Sequence, residues 1–312
     1  MDTHWRLPQL VSRIHAEAIA FRFRPREPEI ARLEKSNGIT RRTVVPAAID
    51  AIVLQSLTDS IAPSVLRAQP TKGAFFSRAR KRPKTMEDID ETFTSDWLSL
   101  WKEGQRRIWQ FTQTHNYVVV TDVANYFDAI PLSQLRNRIA SLGHFEEVVL
   151  DLLFYTLESL AWRPEYLPQS GTGLPQIQFE APRLLAHAYL YEADRFLRRA
   201  CKNDVVRWMD DISFGVDDVE SAKKVLRDLD ELLASLGVRL NTGKTQILSA
   251  AEGVRYFRMR ENRYLSAVEN MLNLLPSSAV TKVRVARYLR SLYRRFTAGD
   301  RFGYWDKIVK RF

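Results

Sequence analysis

One Asp closes a β-branched run and an Asp pair separates two further runs, and few folds arrange three carboxylates that way. Tyr117-Val118-Val119-Val120-Thr121 reads as a buried strand, and Asp122 follows it directly. Val205–Met209 and Ile212–Val216 read as two short strands with Asp210-Asp211 at the tip between them. If these strands are neighbours, the carboxylates converge at one edge of a sheet. Unpaired, such charges repel and raise one another's pKa. A divalent cation removes that cost, and hard oxygen ligands point to Mg²⁺ rather than zinc. Two such ions about 3.5–4 Å apart clamp the attacking and leaving oxygens of an in-line phosphoryl transfer. A second pair, Asp217-Asp218, has a structural explanation: Asp217 with Glu220 three residues on resembles a helix-capping box.

The rest of the chain alternates helix and strand around these residues. Residues 47–67, 145–160, 180–200 and 218–236 carry helical spacing, and Gly237 stops the last of them. Short strands are expected at Val238–Asn241 and Ile247–Ser249, and a hairpin over Arg255–Met259 and Arg263–Ser266 turning near Asn262. Residues 1–36, basic and broken by Pro25 and Pro28, read as an extension or wrapping arm. Residues 70–92, polar and punctuated by Gly and Pro, read as a mobile loop. The last helix is amphipathic, with Val285, Leu289, Leu292 and Phe296 inward and Arg284, Arg287, Arg290 and Arg294 outward. The class is α+β, with a sheet in the middle covered by helices.

Charge narrows the partners. The net charge is +10, and residues 281–312 hold ten Lys/Arg against Asp300 and Asp306. A second basic cluster is Arg78, Arg80, Lys81, Arg82 and Lys84. Two basic patches flanking a neutral middle suit a groove that tracks phosphates; the alternative is a pair of solvated faces. No apolar run approaches the roughly 20 residues of a membrane span, so no membrane partner is expected. The N-terminus has no signal-peptide core, and the single Cys201 excludes an internal disulfide and a cysteine-rich zinc site. A cytoplasmic protein is the simplest reading.

Five segments in order resemble the motifs of reverse transcriptases. Arg41-Arg42-Thr43-Val44-Val45-Pro46 followed by Asp50 looks like the finger motif, and Val120-Thr121-Asp122 through Asn125-Tyr126-Phe127-Asp128 like the first catalytic motif. Gly173-Leu174-Pro175-Gln176 looks like the second, Trp208-Met209-Asp210-Asp211 like the third, and Leu236-Gly237 with Asn241-Thr242-Gly243-Lys244-Thr245 like the fourth. The likeness covers about residues 40–250. It departs from the family at Trp208, where Tyr is usual, and at Ile177, where Gly is common. Pro182 falls in a helix start, and the second motif is one residue longer than in close relatives.

The resemblance implies a right-hand polymerase: an N-terminal basic extension over 1–36, fingers over 37–116, and a palm of antiparallel sheet plus helices over 117–266. A finger or connector insertion lies at about 133–172, and a short basic helical thumb over 267–312. It implies that Asp122, Asp210 and Asp211 hold two Mg²⁺ ions, with the Val123 carbonyl assisting and Mn²⁺ as an alternative ion. Phe127 falls at the steric gate that excludes a ribose 2′-OH. Gln176 touches the incoming nucleotide, Arg41 and Arg78 its triphosphate, and Lys244 the leaving phosphates; a surface-loop lysine is the competing reading of Lys244. The implied partners are dNTPs, an RNA template and a DNA product, with Arg284, Arg287, Arg290 and Arg294 on the nucleic acid; a homo-oligomer stays open. The length leaves no room in this chain for a ribonuclease H domain, an endonuclease or an integrase. Arg183-Leu184-Leu185-Ala186 and Arg207-Trp208-Met209-Asp210-Asp211 look more like the bacterial abortive-infection and defence-associated members, which act against phage, often with a dedicated non-coding RNA. Two other readings stay open: a nucleotidyltransferase that adds DNA without a template, and an RNA-binding scaffold with a vestigial site. Phe127 argues against an RNA-dependent RNA polymerase, which must admit the 2′-OH.

Overall fold

The computed structural model describes residues 7–20, 22–76, 86–164, 166, 173–177, 179–274 and 279–298. Helix α1 (Leu7–Ile19) precedes the hairpin β1 (Glu29–Ser36) and β2 (Ile39–Val45). Then come α2 (Ala48–Arg67), β3 (Ala74–Phe75), α3 (Met86–Thr114) and β4 (Tyr117–Asp122). Helices α4 (Tyr126–Ala129), α5 (Leu132–Ala140), α6 (Glu147–Leu160), α7 (Glu180–Tyr189) and α8 (Tyr191–Ala200) lead to the hairpin β5 (Val205–Trp208) and β6 (Asp211–Val216). After it follow α9 (Val219–Ser235), β7 (Gln246–Ser249), α10 (Ala250–Tyr256), α11 (Met259–Leu274) and α12 (Ala279–Ala298).

The α+β class is as the sequence implies. Five strands form the central sheet in the order β3-β5-β6-β4-β7. All its pairs are antiparallel except β3–β5, which is parallel. Because strand side chains alternate faces, Val118, Val120 and Asp122 share one face with Gly215, Ser213 and Asp211, their register partners. Helices α3 and α10 cover the lower part of that face, where Ile108, Phe111 and Phe257 pack on Val118 and Val206. The opposite face turns Val119, Ile212 and Phe214 into the main core with α5 through α9. The upper rim, where the two strand ends carry Asp122 and Asp211, stays free of that packing.

Several expectations change. The segment read as an arm contains α1, and residues 29–36 pair along their length with β2. The loop read over 70–92 is shorter, with β3 inside it and α3 starting at Met86. The helix read over 180–200 is two, broken at the buried Leu190, whose φ of −90° and ψ of 12° leave the helical region. Val238–Asn241 makes one isolated bridge, Val123 to Leu240, rather than a strand. The hairpin read over 255–266 is helical. Arg258 at φ +50° separates the end of α10 from α11, and α10 itself is started by a capping box: the Ser249 hydroxyl accepts from the Glu252 N–H at 3.3 Å and the Glu252 carboxylate accepts from the Ser249 N–H at 2.8 Å. The cap of α9 is Asp218, not Asp217, with its carboxylate accepting the Ser221 N–H at 2.7 Å.

Gly237 ends α9 at φ +75°, and a Cβ there would meet Pro131 Cγ at 2.8 Å. Among the described residues one helix, α2, is long and apolar enough to cross a membrane by length and composition. Here its apolar side packs against α6 and α7, it contains Pro63, and it buries Asp50, whose carboxylate accepts the Arg26 N–H at 2.9 Å.

Candidate active site

Strand register brings the carboxylates together. Asp122 and Asp211 are direct partners across β4 and β6, and Asp210 sits in the two-residue turn between β5 and β6. The Val123 N–H donates to the Asp210 carbonyl at 3.2 Å, tying the first acidic strand end to the turn. Asp122 is buried and Asp211 exposed. The Asp210 carboxyl is pushed up to about 6, first by burial and then by the neighbouring Asp211 charge, with Asp122 adding to it. Such crowding of like charge is the condition a cation relieves.

The turn itself is held from behind. Met209 adopts φ +57°, a left-handed conformation that costs free energy in a non-glycine residue. The fully buried Arg207 donates through Nη1 to the Met209 carbonyl at 2.8 Å. Its other nitrogens reach Asp194 on α8, Nε at 2.7 Å and Nη2 at 2.5 Å, and Nη2 also reaches the His187 carbonyl at 3.1 Å. Desolvation opposes the guanidinium charge, but Asp194 outweighs it and the Arg207 pKa is raised. Here lies a positioning residue that sequence reasoning used only as part of a resemblance. The signal was available: an arginine in the middle of an apolar strand needs a buried acidic partner.

Lys244 is brought to the site. Its Nζ donates to Asp122 Oδ2, and the hydrogen bond with that carboxylate raises the lysine pKa. The surrounding loop is docked on the same strand end. The Asn241 N–H donates to the Asp122 carbonyl at 2.8 Å, and Thr121 and Thr245 hydroxyls meet at 2.7 Å. Lys244 is an exposed loop residue, as the competing reading has it, and its ammonium nonetheless reaches the Asp122 carboxylate.

A second cluster flanks the carboxylates. Phe127 is half-buried, its ring edge-on to Tyr126 at 5.8 Å, and the Tyr126 hydroxyl donates to the Ala186 carbonyl. The Leu174 N–H donates to the Phe127 carbonyl at 2.7 Å, so the second motif lies on the first. Gln176 Nε2 donates to Asp128 Oδ1 at 3.2 Å, and the Gln176 carbonyl accepts the Val44 N–H of β2 at 3.0 Å. Asp128, Leu174 and Gln176, but not Phe127, line a cavity of about 130 Å³ together with Arg42, whose guanidinium lies 3.7 Å over the Trp162 ring. Arg42, rather than the exposed Arg41, lines that cavity, because neighbouring strand residues point to opposite faces. Ile177 is buried in the core, where a residue facing a template would be exposed.

The outward face of α12 is as read: Arg284, Arg287, Arg290 and Arg294 are exposed while Val285, Leu289 and Leu292 are partly covered. Arg78 and its basic cluster and the tail beyond 298 lie outside the described residues, and so does the side chain of Phe296.

The acidic set fits a hard divalent cation. Asp122 Oδ1 is buried without a hydrogen-bond partner among the described residues, an orphaned acceptor that a cation would satisfy. Asp122, Asp210 and Asp211, with the Val123 carbonyl, are the oxygen donors that would hold it. No closed cage of three His, Cys, Asp or Glu exists among the described residues, and Lys244 supplies positive charge to Asp122 in its place.

An acidic strand end facing the tip of an acid-bearing hairpin, on a helix-backed sheet, is the palm of a nucleotide polymerase. The family model "Reverse transcriptase (RNA-dependent DNA polymerase)" matches residues 48–266, and the chain belongs to that family. No curated protein sequence matches the chain. Similar solved structures include apo telomerase from Candida tropicalis truncated from its C-terminal domain, at 14% identity, 71% of this chain, 50% of that chain and TM-score 0.47. Telomerase from Candida tropicalis in complex with a TWJ fragment of telomeric RNA shows 14% identity over 78% and 44% of the two chains, TM-score 0.49. The corresponding Candida albicans complex shows 10% over 73% and 44%, TM-score 0.49. The chain spans half or less of the length of these telomerases.

Proposed function

We propose that this chain is an active RNA-directed DNA polymerase that transfers nucleotides from dNTPs to a 3′-hydroxyl. The observation that carries the reading is the register of Asp122 opposite Asp211, with an orphaned, buried Oδ1 on Asp122. Two bound Mg²⁺ ions, or Mn²⁺, would activate the attacking oxygen and neutralise charge on the leaving phosphates. The protein's own parts divide the remaining work. Arg207 holds the acidic turn against Asp194, and Lys244 stands where it can pass from Asp122 to the leaving phosphates. Phe127 fills the volume of a ribose 2′-OH, held by Tyr126 and the Leu174 backbone. Gln176 and Arg42 form the wall against the incoming nucleotide, with Arg41 and Arg78 as further triphosphate contacts. In this reading the fingers run over 37–116, joined by β1 through its pairing with β2. The palm runs over 117–266 and the basic thumb over 267–312.

The finer role is antiphage defence in the bacterial cytoplasm with a dedicated non-coding RNA as template. It is supported by the Arg183–Ala186 and Arg207–Asp211 segments and by the basic outer face of α12. Primer extension on a defined RNA template tests the activity, expecting a DNA product complementary to the template. Product of unrelated sequence would replace it with untemplated synthesis, and no product with any template would leave a scaffold. Sequencing the RNA that co-purifies with the protein tests the template, expecting one dominant non-coding species.

A further inference from the structure

The hairpin of β1 and β2 is a sheet of two strands, so β1 keeps one edge unpaired among the described residues. Register tells which groups lie on that edge. Val44, opposite Ile30, turns its N–H away from β1 to the Gln176 carbonyl at 3.0 Å. Antiparallel pairs alternate between exchanging hydrogen bonds and facing away from each other. Ile30, Arg32 and Glu34 therefore aim their N–H and C=O groups outward, where the described residues offer no backbone partner. Arg32, Leu33, Glu34 and Lys35 are all exposed, Leu33 by 51%.

Such an edge invites another strand unless it is blunted. Pro28 precedes this one and a bulge between Glu34 and Ser36 follows, which leaves the stretch between them open. Charge on an edge ordinarily repels a second copy, but here its order attracts one. In an antiparallel pairing about a twofold axis, paired residues share a face, so the axis runs between two copies of one residue. Centred on Leu33, the pairing sets Leu33 against Leu33 and each Arg32 against a Glu34, with Ala31 against Lys35. The backbone agrees, because Arg32 and Glu34 are residues whose outward N–H and C=O groups can then exchange hydrogen bonds. Centred on Arg32 or on Glu34, the pairing sets like charges face to face. Centred on Ala31, it sets Glu34 against Pro28, which has no N–H to give. Within its own hairpin Arg32 lies across from Arg42, a like-charge pair, and it has no ion-pair partner among the described residues. Glu34 of a second copy supplies the missing carboxylate.

We infer that two copies of this chain associate through β1, edge to edge and antiparallel about Leu33, joining their hairpins into one continuous sheet. The association needs no part of the polymerase reading.

The test uses the full chain, freed of nucleic acid by nuclease, in sedimentation equilibrium over a concentration series. A monomer–dimer equilibrium is expected. Arg32→Glu or Glu34→Arg turns both opposite-charge pairs into like-charge pairs and should weaken self-association about ten-fold or more. Mixing the two variants in equal amounts restores opposite charges at both positions, and a heterodimer as tight as the unaltered dimer should form. Two misfolded chains would not rescue each other, so the mixture separates a broken interface from a broken fold. Arg32→Pro removes an outward donor without touching the bonds to β2, and should give a monomer with an unchanged melting temperature. A chain that stays monomeric throughout the series would overturn the inference. So would a dimer that survives Arg32→Pro or either charge reversal, or normally melting variants that stay apart when mixed.

Discussion

Single residues carry most of the chemistry. As the proposed steric gate, Phe127 presents a half-buried ring edge-on to Tyr126, with its backbone carbonyl accepting the Leu174 N–H. Phe127→Ala should therefore raise rNTP incorporation relative to dNTP, measured as a kcat/KM ratio, by about ten-fold or more. Equal use of both sugars by the unaltered enzyme would refute the gate. Asp194 exists to neutralise Arg207, and truncating it leaves a buried, uncompensated cation. Asp194→Ala should cost about 3–5 kcal/mol in urea unfolding; a loss under about 1 kcal/mol would deny the clamp its role. At the other end of the sheet, His115 Nδ1 meets Asp217 at 2.6 Å and Nε2 meets Asp204 at 2.8 Å, with Gly215 leaving room for the ring. Partial burial pulls its pKa down, but the two carboxylates outweigh that and the folded value is raised. Its stabilisation is then complete below the unfolded value of about 6.5 and fades as pH climbs through the folded one. Melting temperature of the unaltered protein minus that of His115→Gln should shrink over that window, and a constant difference would contradict the bridge.

At the scale of elements, hydrophobic period revealed α2, α6, α9 and β4 through β6, because each buries one clear face or run. It failed where a local signal competed with it. The Ser249-x-x-Glu252 box starts α10, and α11 then runs through the stretch whose apolar spacing suited a hairpin. The break at Leu190 has no glycine or proline to announce it. Helix α12 was legible down to its arginines, and it offers a direct test. If Arg284, Arg287, Arg290 and Arg294 each meet a phosphate, replacing all four with Gln should flatten the slope of log affinity against log salt by about 3. Filter binding over a salt series measures this, and an unchanged slope would assign those arginines to solubility alone.

For the whole molecule, three Asp residues separated by almost 90 positions meet because β4 and β6 pair in one register. That meeting was readable, since strand ends and a hairpin tip are short-range signals. That Arg207 needs a buried acid was readable too, but not that Asp194 supplies it and Met209 takes the other bond, because that depends on which helix packs behind the sheet. Likewise the presence of Arg42 rather than Arg41 at the wall of the small cavity follows from the face β2 presents. Asp210 is half-buried among like charges, so Asp210→Asn removes repulsion and should melt at or above the unaltered protein in metal-free buffer. RNA-templated dNTP incorporation by the same variant should fall by about 10²–10³-fold or more. Incorporation within a few-fold of the unaltered enzyme, in a variant that melts normally, would contradict the central claim.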